Sequence, residues 1–157
     1  MAVGFDAPSD SLKNRSELFG YALILMRASP AHRDQPLSKL YKIIEAAISH
    51  KTIKFYFNED GNVVACVIWA LLAEDVEHRV IQTGEFSLHE SEWNEGNSLW
   101  IIELLAPFGN MNYVYRALRD SLFLTHQTVR YIRKVGQEVL IKEAVRRPLI
   151  VTNSDGI

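Results

Sequence analysis

The sequence predicts an α/β or α+β domain built around one central, mostly antiparallel sheet. Three observations carry that reading. Two stretches with apolar residues at helical spacing fill residues 11–50. The period then changes: IKFYF (53–57), a turn NEDGN (58–62) and VVACVIWALL (63–72) read as a β-hairpin. SLWIIELLAP (98–107) follows as a nearly continuous apolar strand, the pattern expected when both faces are buried.

Each element follows from local chemistry. Residues 1–10 are punctuated by Gly, Asp, Pro and Ser and read as a flexible tail. A helix is predicted from Ser11, with Leu18, Ala22, Leu25 and Met26 on one stripe and Phe19 and Leu23 beside it. It stops near Ala28, because Pro30 drives Ser29 out of the helical region. The elbow RASPAHRDQP (27–36) comes next. Asp34 is placed to cap a second helix, and Pro36 suits its first turn. Leu37, Leu40, Tyr41, Ile44 and Ile48 then recur at helical spacing through residue 50. Asp60-Gly61 is the turn of the hairpin. Residues 74–97 are acidic and mixed, with AEDVEHRVIQ a candidate short helix and HESEWNEGN a loop. PFGN (107–110) is a turn, and MNYVYRALRDSLF (111–123) is a helix with Tyr115, Leu118 and Leu122 on one side. TVRYIRKV (128–135) alternates like a strand. EVLIKEAVRR (138–147) is ambiguous, and LIVTNSDGI (149–157) reads as a short strand or a frayed end.

Composition bounds the function. The chain has 157 residues, which fits one domain able to bury roughly two-thirds of its unfolded surface. The longest near-apolar run, LFGYALILM (18–26), is far short of the ~20 residues that span a bilayer. The N-terminus lacks the basic flank and apolar stretch of a secretory signal. Cys66 is the single cysteine, so no internal disulfide forms, and a cytoplasmic setting is expected. Residues 1–110 hold 9 Lys+Arg and 15 Asp+Glu, a balance of −6, whereas residues 111–157 hold 8 and 4, a balance of +4. That basic last third is a landing surface for an acidic partner. Its charges are spread out and match no nucleic-acid motif, so nucleic acid is not an expected partner.

Two side chains stand out chemically. His32 sits in the elbow between two prolines, where helix periodicity does not dictate its direction. Imidazole is the side chain that exchanges protons near neutrality, although a loop histidine is by default merely solvated. Glu103 is the only charged residue between positions 98 and 108. A carboxylate in a buried strand demands a partner, which a structural ion pair, a strand end at the surface or a catalytic site would each supply. If the fold brings the elbow to the third strand, the two form a His–carboxylate pair. The strand's end in a turn and helix also offers backbone N–H groups of Phe108, Gly109 and Asn110 to an anion. His89 and Glu90 lack the second histidine of a zinc helix, so no metal is expected. Trp69, Trp93 and Trp100 read as packing residues, and no phosphate or dinucleotide fingerprint is present.

The elbow S-P-x-H-R with a following proline (Ser29, Pro30, His32, Arg33, Pro36) resembles the toxin-activating lysine acyltransferases that modify RTX protoxins. WIIELLAPFGN (100–110) is similar to the family's W-x-I-D-W-I-A-P-F-G-D, and VVACVIWALL to its V-A-x-x-x-W-A. YVYRALRD (113–120) and VRYIRKV (129–135) are similar to its Y-x-x-M-R segment and F-R-A-I-R-V strand. The resemblance covers about residues 18–136, and residues 137–157 form a divergent C-terminal segment of the single 1–157 domain.

The resemblance implies a GNAT-like α+β fold in a bacterial cytoplasmic homodimer. It implies transfer of a fatty acyl group from acyl carrier protein to internal lysines of an RTX protoxin, with no bound cofactor. The family's essential histidine, aspartate and serine fall on His32, Glu103 and Ser29. Beside them, the backbone N–H groups of Phe108, Gly109 and Asn110, with Arg33, are expected to serve the thioester oxyanion or the carrier. Two positions depart from the pattern: the catalytic aspartate is Glu103, and the last aspartate of A-P-F-G-D is Asn110. The extra methylene of Glu103 carries its carboxylate ~1 Å further, a displacement worth about 100-fold in a tight site. Two other readings of the residues are a GNAT-like acyltransferase using acyl-coenzyme A and a non-catalytic adaptor homologue.

Overall fold

The computed structural model describes residues 3–6 and 12–147. Among them six strands form one sheet in the order of the sequence: β1 (Val3–Asp6), β2 (Ile53–Phe57), β3 (Val63–Leu72), β4 (Ser98–Leu105), β5 (Thr128–Val135) and β6 (Glu138–Val145). Every neighbouring pair is antiparallel except β4 and β5, which run parallel. The helices are α1 (Leu12–Ala28), α2 (Leu37–Ser49), α3 (Glu74–Thr83) and α4 (Met111–Ala117). The expected α+β class and mostly antiparallel sheet are present.

The sheet is covered on both faces, which explains why the β3 and β4 sequences are apolar almost throughout. Leu18, Ala22, Leu25 and Met26 of α1, Leu40, Ile44 and Ile48 of α2, and Val76 and Val80 of α3 pack on one face against Cys66, Ile68, Ala70 and Trp100. Val114 of α4, with Leu118 and Phe123 just beyond it, packs on the other against Ala65, Val67 and Leu99. From Ala65 to Leu72, strand periodicity thus divides β3 between two cores. The three tryptophans are packing residues, as the sequence predicts: Trp93 and Trp100 are buried, and Trp69 meets Phe123 edge to face.

Several expectations are corrected. Residues 3–6 are not a loose tail; they pair with β2, Val3 opposite Phe57 through Asp6 opposite Lys54, and cover its otherwise open edge. The ambiguous segment after Gly136 is a strand, paired with β5 along its whole length. Pro36, not Asp34, occupies the N-cap of α2, and no side chain caps it. The helix at 111–123 is α-helical only to Ala117 and widens into a π-turn over Leu118–Leu122. The candidate strand at 149–157 lies outside the described residues. No described helix is long and apolar enough to cross a membrane.

Two features fix where β4 begins. Gly96 donates its N–H to the carbonyl of Leu71, and a Cβ there would stand 1.9 Å from the Leu72 oxygen, so only glycine allows this approach. Glu77 of α3 then accepts hydrogen bonds from Ser98 Oγ, from Trp100 Nε1 at 2.9 Å and from the Arg130 guanidinium of β5. Arg130 also donates to Glu143 of β6 at 3.0 Å. Burial opposes the charge of Glu77 most strongly, but the bonds from Ser98, Trp100 and Arg130, with the charge of Arg130, hold its carboxyl below the usual range. One carboxylate therefore joins a helix and two parallel strands.

Glu77→Gln is expected to lower unfolding free energy by about 1.5–3 kcal/mol at neutral pH, the worth of bonds to a charged group. A carboxyl whose folded pKa is depressed stabilises above its unfolded pKa and stops doing so as pH falls through the folded one. Urea denaturation of the wild type and the variant should therefore converge in acid.

Candidate active site

The elbow places the imidazole. Pro30 ends α1, and Ser29 then organises two overlapping turns: its carbonyl accepts the N–H groups of His32 and Arg33, each at 3.0 Å. The His32 carbonyl accepts the N–H of Gln35 at 2.9 Å, and Pro36 opens α2. The reversal packs α1 and α2 on the same face of the sheet and leaves His32 buried between them at 8% exposure.

A β-bulge places the carboxylate. Trp69 of β3 pairs with Ile101 and Ile68 pairs with Glu103, so Ile102 is one residue extra. Trp100 and Ile102 belong to the core under α1 and α2, and Ile101 to the core under α4. Strict alternation would send Glu103 to the α4 side; the extra residue returns it to the side of Ile68, where the elbow lies. Glu103 Oε2 stands 2.9 Å from His32 Nε2. On the other side of the ring, Ser29 Oγ stands 2.9 Å from Nδ1. The three residues singled out in the sequence thus form one chain, Ser29–His32–Glu103, and glutamate spans the gap despite its extra methylene.

The chain has a direction. A carboxylate accepts hydrogen bonds and cannot donate them, so Nε2 carries the proton shared with Glu103. In the neutral ring Nδ1 is then the basic nitrogen, and it faces the Ser29 hydroxyl. Serine, base and orienting carboxylate are the parts of an activated nucleophile or a proton relay.

Beside Glu103 the sheet opens. β4 and β5 are paired only at Trp100–Arg130 and Ile101–Tyr131, and from Ile102 onward they separate. The resulting cleft, about 1610 Å³, is walled by the second half of β4, by α4 and the π-turn, and by β5 and the end of β6. Its floor is apolar, with Leu104, Leu118, Phe123 and Ile132; Arg119, Arg133, Arg146 and Arg147 line it as well. Glu103 lines the cleft, His32 does not, and so the carboxylate stands between the imidazole and the opening.

The remaining predicted residues stay apart from this chain. Phe108, Gly109 and Asn110 form the exposed turn between β4 and α4. Gly109 has φ 93° and already donates its N–H to the Ala106 carbonyl. Arg33 points outward, its Nε 3.9 Å from Asp34. Among the described residues no group of three His, Cys, Asp or Glu is gathered to hold a metal. Sequence reasoning missed the Glu77–Arg130 link at the closed end of the cleft. Arg130, on the same alternating face of TVRYIRKV as Ile132, was its one signal.

The RTX toxin acyltransferase family matches residues 11–143, and the chain belongs to that family of acyltransferases. Its relatives include the lysine-acyltransferase RtxC of Vibrio cholerae, 26% identical over 81% of this chain and 82% of that one. The RTX-II toxin-activating lysine-acyltransferase ApxIIC of Actinobacillus pleuropneumoniae is 33% identical over 69% of this chain and 67% of its own. The protein-lysine myristoyltransferase HlyC of Escherichia coli is 30% identical over 69% and 63%. Among solved structures, a GNAT-family acetyltransferase from Listeria monocytogenes superposes with a TM-score of 0.49 at 9% identity, over 91% of this chain and 95% of that one.

Cys66 lies opposite Leu105 beside this site and is fully buried. Burial, reinforced by the charge of Glu103, pushes its thiol well above the ordinary value. Iodoacetamide at pH 8 is expected to leave folded protein unmodified and to alkylate Cys66 once urea unfolds it; rapid alkylation of the folded form would contradict the burial.

Proposed function

We propose that this protein transfers a fatty acyl group from acyl carrier protein to lysine side chains of an RTX protoxin. The observation that carries the reading is the Ser29–His32–Glu103 chain, its imidazole buried and its two ends half-buried, beside an apolar cleft that has cationic walls. The activities by which the relatives are named, lysine acylation and myristoylation, agree with it. Arg133 and Arg147 form no ion pair among the described residues, which suits them to an acidic carrier or its phosphate. Gly109 is the only glycine of its turn, and α4 has seven residues, so a coenzyme pyrophosphate has no evident cradle there.

A lysine amine must be neutral to attack a thioester. At pH 7 that neutralisation costs about 4.6 kcal/mol for a pKa of ~10.4. His32 Nδ1 takes the amine proton, through the Ser29 hydroxyl where that group stands between them. The amine nitrogen bonds to the acyl carbon, the C–S bond breaks, the imidazolium returns its proton to the departing thiolate, and the nitrogen's second surplus proton leaves to solvent, so that a neutral amide and a free thiol result. Glu103 holds the ring in the required tautomer and stabilises its charged form. The 2.9 Å contact between Ser29 Oγ and Nδ1 favours a second route, in which Ser29 is acylated first and the lysine then attacks the ester.

Myristoylated acyl carrier protein, an RTX protoxin and intact-mass spectrometry test the proposal. His32→Ala is expected to lower the rate about 10²–10⁴-fold. Glu103→Asp is expected to lose about 100-fold, because the shorter side chain withdraws from a contact already at 2.9 Å. Wild-type rates in His32→Ala would overturn the reading. An acylated Ser29, trapped without acceptor and absent in Ser29→Ala, would select the second route.

A further inference from the structure

A second groove lies on the other side of the bulge. It holds about 760 Å³ and runs along α2 from Pro36, where the elbow ends, to Ser49. Residues 85–88 with Glu90 and Trp93 form its opposite wall, and Ile102 lies at its base. Ile102 is thus the residue shared by this groove and the β4–β5 cleft, and Glu103 follows it directly. The groove's own lining stops at Ile102, one residue short of Glu103, and two openings that meet beside one reactive centre suit a two-substrate transfer, in which each reactant must arrive in its own orientation.

The linings divide the substrates. The cleft is the more apolar of the two, and its free charges are arginines. The groove presents both signs: Lys39 and Lys42 on α2, with Glu45 further along the same helix, and Glu85 and Glu90 opposite. None of Lys39, Lys42, Glu85 and Glu90 makes an ion pair among the described residues. A mixed, ungrouped set of charges gains nothing from an acyl chain but complements a polypeptide. The reach fits too. From Pro36 to Ser49 an α-helix rises about 20 Å. About six extended residues cover that distance.

We propose that this groove receives the acceptor polypeptide as an extended segment, which carries its lysine past Ile102 to His32 and Glu103. The inference rests on the acyl-transfer reading and assigns its second substrate to a place. Lys39 and Lys42 select acidic side chains of the segment, and Glu85 and Glu90 select basic ones. The acyl donor occupies the cleft.

The test uses the full chain, myristoylated acyl carrier protein, an RTX protoxin and a positional library of eight-residue peptides with a central lysine. Acylated peptides are read by mass spectrometry. The expected result is a preference for acidic residues at particular positions in the wild type. In Lys39→Glu/Lys42→Glu that preference turns to basic residues, and KM for a wild-type-preferred peptide rises about tenfold, while KM for the donor is unchanged. Both lysines are exposed, and circular dichroism checks that the variant is folded. Identical profiles in wild type and variant, or a rise in donor KM alone, would overturn the assignment. Modification of the protoxin without modification of any peptide would also overturn it, leaving acyl transfer intact. If the wild type modifies neither, the acyl-transfer reading itself fails, and this inference falls with it.

Discussion

A carboxylate halfway along a strand covered on both faces is stable only where something meets it. Removing such a charge from water without a partner carries a penalty of several kcal/mol. Glu103 approaches that position, its side chain 23% exposed where it lines the cleft, and much of the architecture follows from how it is met. The bulge at Ile102 turns it toward α1 and α2. The prolines break what would otherwise be one long helix, and the break is the elbow that supplies His32. Ser29 closes the chain at the far side of the imidazole. Each part would be a local defect alone: a slipped register, a broken helix, a buried titratable ring. Together they satisfy one another's polar atoms.

The same bulge separates two spaces. On one side β4 parts from β5 and leaves an apolar cleft; on the other α2 and the 85–93 segment enclose a groove of mixed charge. The Glu77–Arg130 link holds the strands together where they are still paired. It fixes the closed end, so the separation begins at Ile102. Family membership accounts for the chemistry expected at such a centre, and this chain adds a glutamate whose reach matches its own bulged strand.

The fold was legible wherever burial imposed a period. α1 and α2 announce themselves through stripes that are indeed buried, and β3 and β4 through apolar runs that feed two cores. β6 was not, because of its eight residues only Ile141 is even half-buried, so no alternation was imposed on it. β1 was missed because four residues added to an edge are specified by the strand they join. For the site, rarity was enough to find His32 and Glu103: an imidazole between prolines and a lone charge in an apolar strand. Their meeting was not legible. It depends on an extra residue in a register, and register is a property of two strands that neither sequence carries alone. The groove along α2 was invisible for a similar reason, since Lys39 and Lys42 look like any solvated helix face until Glu85 and Glu90 are seen across from them.

The β5–β6 hairpin shows what this arrangement means for the chain's local unfolding. Its strands are paired over eight residues each around a turn at Gly136, yet most of its side chains are exposed, and it meets the rest of the sheet at two residue pairs and the Arg130 link. Few apolar contacts would be lost if it opened, and neither core would need to melt. In hydrogen-exchange terms the sheet is therefore graded, with the amides of β3 and β4 in the unit that opens last and those of the hairpin in one that opens more readily. The boundary between the two units runs through the cleft itself, so one wall of the cleft belongs to the most protected part of the protein and the facing wall to one of the least.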